Sequence, residues 1–130
     1  MAAHAAFLTT ILLHTLDHFR QGLDRLTPEV LWGGTFLAVL AVAPLPLTIR
    51  RHPQAPFAAA IVGLWTAVAV SASHLAPHWS AFSDPYPSLS LDAYSWSVML
   101  AEIVTALIFG LLGVTELRRR SAGTQARPAG

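Results

Sequence analysis

The sequence predicts an all-α fold, namely a four-helix transmembrane bundle with both termini in the cytoplasm (N-in/C-in). Three observations lead to this prediction: 54% of the 130 residues are hydrophobic, only 12% are charged, and the apolar residues fall into four separate segments. A soluble domain usually carries about 25% charged residues, so this chain has roughly half of the usual share. Helices are expected because lipid cannot satisfy the backbone hydrogen bonds of exposed strand edges.

Four helices are expected over residues 2–23, 31–49, 57–76 and 94–117, and they form one integral membrane domain over 1–117. About 20 apolar residues at 1.5 Å rise cross the hydrocarbon core of a bilayer, so each segment is long enough. The first segment lacks the positively charged start of a secretory signal peptide, and we expect it to be retained. Before the second segment, Thr27 and Pro28 suit an N-cap and a first helical position.

The third and fourth predicted helices carry different signatures. Small residues recur at every fourth position of the third helix, at Ala59, Gly63, Ala67 and Ser71. Such a stripe allows two helices to approach closely. The fourth helix contains one deep carboxylate, Glu102. Residues 118–130 begin with three arginines and are otherwise small and polar, so we expect a disordered basic cytoplasmic tail there.

The distribution of arginine predicts the orientation. Arg50 and Arg51 lie between the second and third helices and three consecutive arginines directly follow the fourth, whereas the long connection between the third and fourth has none. Cytoplasmic loops carry an excess of such residues. The first connection, with Arg20 and Arg25, is then extracytoplasmic and departs from the rule. All eight basic residues are arginine, a bias typical of GC-rich genomes, so we expect the cytoplasmic membrane of a bacterium.

Two histidine pairs with neighbouring carboxylates are the candidate functional residues. Each pair has a spacing of four residues, and an ionisable residue inside a membrane is costly and indicates function. In the predicted topology all of these groups occupy the extracytoplasmic half of the bundle. The predicted metal ligands are His14, Asp17, His18, His74, His78 and Glu102.

The two pairs are not equivalent. His14 and His18 lie on an uninterrupted helix, where imidazoles four residues apart share one face. Pro77 disfavours helical geometry at the residue before it, so His78 is expected nearer the membrane surface than His74.

The chemistry of these groups predicts binding of a transition metal. Imidazole and carboxylate donors suit Zn, Cu, Fe or Mn, and haem is a weaker alternative. A bound metal could be catalytic, with Asp17 or Glu102 as general base. The chain has no cysteine, which excludes disulfides and thiolate sites.

A non-enzymatic function is the alternative. In that hypothesis the chain is an accessory or structural subunit of a membrane complex, and its buried His, Asp and Glu side chains form a hydrogen-bond network. The expected partners are the lipid bilayer and either a second copy of the chain or a larger membrane complex. Nucleic acid is not expected, because the net charge is only +1 and the basic residues form no patch with interleaved aromatic residues.

Overall fold

A computed structural model describes residues 1–125 of the chain. These residues form five α-helices and two short 3-10 helices, Leu23–Arg25 and Tyr86–Ser88, and no strand occurs among them. The all-α prediction is therefore confirmed for the described residues. The α-helices are α1 (Ala2–Gln21), α2 (Pro28–Val42), α3 (Leu45–Ile49), α4 (Ala55–His74) and α5 (Ala93–Gln125).

The boundaries of α1 and α2 follow local backbone chemistry. Helix α1 ends at Gln21 because Gly22 adopts φ +99°, a conformation that residues with a Cβ rarely adopt. The amide of Gly22 still donates to the carbonyl of His18 at 3.1 Å. Helix α2 begins at Pro28, where the hydroxyl of Thr27 accepts a hydrogen bond from the amide of Val30 at 3.2 Å.

The predicted second helix is interrupted near its end. Helix α2 stops at Val42 and α3 resumes at Leu45. Pro44 and Pro46 lie at this junction, and neither has an amide hydrogen to donate to the carbonyl four residues earlier. The stretch Pro28–Ile49 nevertheless remains one apolar segment of 22 residues.

Helices α4 and α5 are shifted and extended relative to the sequence prediction. Helix α4 ends at His74, two residues before the predicted end, in keeping with Pro77 beyond it. Helix α5 continues past the predicted end at Leu117 as far as Gln125. The guanidinium of Arg120 pairs with Glu116 one turn earlier at 2.9 Å, which favours helix over the predicted disorder. The rest of the predicted tail, 126–130, lies outside the described residues.

Three helical segments are long and apolar enough to cross a membrane. They are Pro28–Ile49, Ala55–His74 and Ala93–Gly123. Helix α1 has 20 residues but is not among them; its His, Asp and Arg side chains reduce its mean hydropathy. The fourth spanning helix therefore stays a prediction, as does the N-in/C-in orientation.

The surface and interior of the bundle have the polarity expected in lipid. Among the described residues, five histidine, aspartate and glutamate side chains are buried, while many large apolar side chains are exposed on the outer faces. The buried ones are His4, His14, Asp17, His74 and Glu102. The outer apolar side chains include Leu16 and Phe19 on α1, Phe36 on α2, Trp65 and Val68 on α4, and Leu112 on α5.

Helices α4 and α5 form the tightest contact. A Cβ added to Gly63 would lie 2.5 Å from the backbone nitrogen of Gly110, and one added to Gly113 would lie 2.5 Å from the carbonyl oxygen of Pro56. The small-residue stripe that the sequence predicts thus lies on α4 and brings its backbone against α5. Helix α1 packs on α5 through Phe7 and Phe109, whose ring centroids are 5.5 Å apart.

Candidate metal centre

Three histidines from two helices meet inside the bundle. His14 and His18 lie one turn apart on α1, and His74 is the last residue of α4. One ring nitrogen of each lies within 4.8 Å of the other two. The ring centroids are 4.7 Å apart for His14 and His18, 5.0 Å for His14 and His74, and 5.5 Å for His18 and His74. These three residues, the histidine cluster, can hold one metal ion.

The His14 ring is fixed by hydrogen bonds on both of its nitrogens. Its Nδ1 lies 2.5 Å from Oε2 of Glu102 on α5, and both side chains are only 6% exposed. Its Nε2 lies 3.1 Å from the hydroxyl of Tyr86. With the proton on Nδ1, His14 donates to the carboxylate and its Nε2 accepts a hydrogen bond from the Tyr86 hydroxyl. Histidines that bind a metal commonly donate their other ring N–H to a carboxylate in this way.

The His74 ring is oriented by the connection that follows α4. Its Nδ1 lies 3.0 Å from the carbonyl oxygen of Asp84 and 3.6 Å from that residue's Oδ2. Tyr86 packs against His74, with ring centroids 4.6 Å apart. The connection is tied back to α4, because the amide of Asp84 donates to the carbonyl of Ser73 at 3.0 Å. Here too the Nδ1 is occupied by an oxygen, which leaves Nε2 for an ion.

His18 differs from the other two histidines. Its ring is half-buried, and its Nδ1 is shielded from solvent without a hydrogen-bond partner among the described residues. A buried polar atom without a partner costs free energy, and a ligand is one way to recover it. His18 therefore completes the cluster as a donor that the protein itself does not satisfy.

Burial shifts the pKa values of the two acidic groups in the 75–92 connection that contact the cluster. It raises the pKa of the Asp84 carboxyl above its ordinary value. Burial likewise raises the pKa of the Tyr86 phenol, which stays neutral and can donate a hydrogen bond. A neutral phenol 3.1 Å from Nε2 of His14 is placed to contact whatever occupies the cluster.

The predicted ligand Asp17 belongs to a different network. Its side chain is buried, and its two oxygens accept hydrogen bonds from Nε of Arg20 at 2.8 Å and from Nε2 of Gln21 at 2.6 Å. Arg20 continues to the carboxylate of Asp92 at 2.9 Å, before the start of α5. Asp17 is thus engaged in joining α1 to α5, and it is not brought into the group of three histidines.

Of the other two predicted ligands, His78 and Glu102, only Glu102 reaches the cluster. His78 is exposed in the connection after α4 and lies outside the histidine cluster. The helix ends at His74, so the two members of this pair do not share a helical face. Glu102 is buried and reaches the cluster through its hydrogen bond to His14, in a supporting position.

Sequence reasoning missed Asp84 and Tyr86 as contributors to the site. The Tyr86 ring is fully buried against His74. The one available indication was a long connection that brings an aspartate and a tyrosine next to prolines. How that connection folds back over the bundle is a tertiary property without a periodic pattern.

A cavity of about 430 Å³ adjoins the histidine cluster. It lies between α1, α2 and α4, and Trp79 and Phe82, which are both more than half exposed, also line it. Apart from the histidines, Glu102 and a few hydroxyl groups, its wall is apolar. Representative apolar lining residues are Ile11, Val30, Leu37, Ala38, Trp65 and Val70.

The chain was compared with known proteins at three levels. No family model matches it, and neither a curated protein nor a solved structure shows significant similarity to it. The chemistry of the site therefore has to be inferred from its own geometry: a buried group of three histidines that can hold a metal ion, in a chain with three helices able to cross a membrane.

Proposed function

We propose that this chain is a small integral membrane protein that binds one transition-metal ion through His14, His18 and His74. The observation that carries the proposal is the orientation of the imidazoles. His14 and His74 each have Nδ1 within hydrogen-bond distance of an oxygen acceptor, so Nε2 is the nitrogen that an ion would take, in His14 by displacing the hydrogen bond with the Tyr86 hydroxyl. Outer acceptors of this kind fix the tautomer and raise the basicity of metal-bound imidazoles.

The proposal includes α1 as a fourth spanning helix. Its polar side chains His14 and Asp17 are buried in the bundle, while Leu12, Leu16 and Phe19 are 51–60% exposed on its outer face. A helix with this division exposes apolar side chains to lipid although its mean hydropathy is modest. Twenty residues at 1.5 Å rise are about 30 Å long, enough for the hydrocarbon core.

The arrangement of arginines supports the proposed orientation. Arg50 and Arg51 follow α3 at the end of the bundle where α5 also ends, and the three consecutive arginines of α5 lie there too. Placing this end in the cytoplasm of a bacterial cell puts the histidine cluster in the extracytoplasmic half. The ion would then come from the extracytoplasmic side.

The donor set favours a compact ion over haem. Three imidazole nitrogens without thiolate suit Zn, Cu, Fe or Mn. The rings of the cluster lie only 4.7–5.5 Å apart between centroids, which leaves no space for a porphyrin between two of them. Three protein ligands leave one position of a tetrahedral ion open to a further ligand.

Binding is favoured over hydrolysis. A hydrolytic metal site needs a base free to accept a proton from water at the open position. Asp17, one predicted base, is occupied by Arg20 and Gln21. Glu102, the other, is occupied by His14.

A second candidate function is an accessory or structural subunit whose polar residues only hold helices together. The observation that favours it is that α1 and α5 are joined by side-chain hydrogen bonds that need no ion, at Thr10–Thr105 (2.6 Å) and His14–Glu102 (2.5 Å). We rank this candidate second because a network that only joins helices does not require three imidazoles to converge within 4.8 Å with one nitrogen of His18 unpartnered.

Metal analysis of detergent-purified protein tests the two candidates. The wild type is expected to retain close to one equivalent of a transition metal, and His18→Ala is expected to lose it. The matched control is His78→Ala, which removes an exposed imidazole from the same end of the bundle. Both variants should keep the helical circular dichroism and elution volume of the wild type.

Two results would contradict metal binding by the cluster. One is a wild-type protein that neither contains nor takes up a stoichiometric metal. The other is an equal loss of metal in His18→Ala and His78→Ala, because an exposed side chain outside the cluster should not matter.

A further inference from the structure

The cavity beside the histidine cluster is long, apolar and polar at one end. Its wall on α4 runs from Trp65 to His74, or ~13 Å of helix at 1.5 Å rise per residue. The histidine cluster lies at the His74 end of that wall, whereas Trp65 and Ala38 lie deeper in the proposed membrane. Trp65 is 59% exposed, so it lines the cavity where the cavity opens to the outer face of the bundle. Its volume of about 430 Å³ is within the range of small-molecule sites.

Two adjacent glycines form part of the cavity wall on α2. A Cβ added to Gly34 would meet nothing within 4 Å, and one added to Gly33 would meet only the ring of Phe82, at 3.5 Å. Both glycines line the cavity. The glycines of the α4–α5 contact differ, because added Cβ atoms there would lie within 2.7 Å of backbone atoms. Gly34 is exposed, so the space beside it is open and is not filled by another part of the described chain.

The polar end of the cavity defines the head group that would fit. Three neutral imidazoles around a divalent ion carry a net positive charge, and the open coordination position accepts an oxygen donor. A carboxylate satisfies both the charge and the donor requirement. The apolar wall excludes a second charged group and suits a hydrocarbon chain.

We propose that the cavity binds a single-chain long-chain carboxylate, with its head at the histidine cluster and its hydrocarbon chain extending along α4 toward Trp65. This inference rests on the proposed function, since the carboxylate occupies the open position of the metal ion. The hydroxyl of Tyr86, 3.1 Å from Nε2 of His14, is placed to donate a hydrogen bond to the same head group.

Fluorescence quenching tests the proposal on the metal-loaded protein in detergent. The probe is a fatty acid brominated near the middle of its chain, because bromine quenches tryptophan on contact and Trp65 lines the cavity. Quenching should saturate, and the saturable component should disappear in Trp65→Phe. The methyl ester of the same acid should bind at least ~10-fold more weakly, because it loses the anionic oxygen.

Gly34→Leu provides the matched blocking variant. The new side chain fills space that the protein leaves empty, and it does not alter any of the three histidines. Its metal content is expected to stay at the wild-type level while saturable quenching falls by at least ~10-fold. The comparison of acid with ester uses wild-type protein, so it decides the question even if the variant does not fold.

Three results would overturn the inference. Equal binding of acid and ester would exclude a head group at the metal. Unchanged quenching in a metal-loaded Gly34→Leu protein would mean that the probe contacts only the outer surface of the bundle. Metal-loaded protein without saturable quenching would refute this inference alone, whereas wild-type protein without metal would refute the proposed function together with it.

Discussion

Glu102→Gln is expected to weaken metal binding by about 10–100-fold, the usual effect of losing an outer-sphere partner of a metal-bound histidine. This range corresponds to about 1.4–2.7 kcal/mol. We expect the upper end, because the bond to His14 is short (2.5 Å) and both side chains are only 6% exposed, so water cannot replace the lost charge. Glutamine keeps the volume and one acceptor oxygen, and the change therefore isolates the effect of the charge on the basicity of His14.

Competition against a chromophoric chelator in detergent measures the change. The matched control is Glu116→Gln on the same helix, where the carboxylate pairs with Arg119 and Arg120 at an exposed position. It should leave the metal affinity unchanged. An affinity within twofold of wild type in Glu102→Gln, or equal losses in the two variants, would refute the argument that Glu102 supports a metal-bound His14.

Two further predictions concern stability. Gly63→Ala should lower the free energy of unfolding by about 1–3 kcal/mol, because the new Cβ would lie 2.5 Å from the backbone nitrogen of Gly110. Reversible unfolding in detergent should show this loss, whereas the control Gly34→Ala should be close to wild type. Hydrogen bonds from the amide of Ser95 and from other donors hold the pKa of Asp92 below its ordinary value of 3.8. The charged carboxylate therefore stabilises the fold fully above pH 3.8, and this stabilisation is lost as the pH falls through the lower folded-state pKa. The melting temperature of wild type should therefore exceed that of Asp92→Asn near neutral pH, and the difference should shrink as the pH falls below 3.8. A difference that does not depend on pH in the acidic range would contradict this role.

Much of the fold follows from local patterns. The apolar segments correspond to helices because backbone groups in an apolar environment must bond within their own segment. The start of α2 follows from Thr27 and Pro28, and the close contact of α4 with α5 agrees with the stripe of small residues. The sequence prediction missed the break after Val42, although Pro44 and Pro46 are its cause.

The sequence predicted where in the bundle the candidate site lies better than it predicted which residues contact each other there. Chain order and helix length put His14, His18 and His74 at one depth, and the structure brings these three together. Helical spacing could not decide the partner of Asp17, which lies on the same polar stripe as His14. The competing partner, Arg20, sits three residues away and takes the carboxylate into another network.

By itself, the sequence predicted that this protein is helical, that four of its segments suit a membrane, and that its candidate histidines and carboxylates lie at one depth; three of those segments are helices long and apolar enough to cross a membrane. These properties depend on composition and on helical rise, which act along the chain. Only the tertiary structure decided that Glu102 and Asp84 orient two imidazoles, that Tyr86 lies against them, and that a cavity opens beside them. Those contacts depend on the rotation of each helix and on the folding of the 75–92 connection, where distant residues meet without any repeating pattern along the chain.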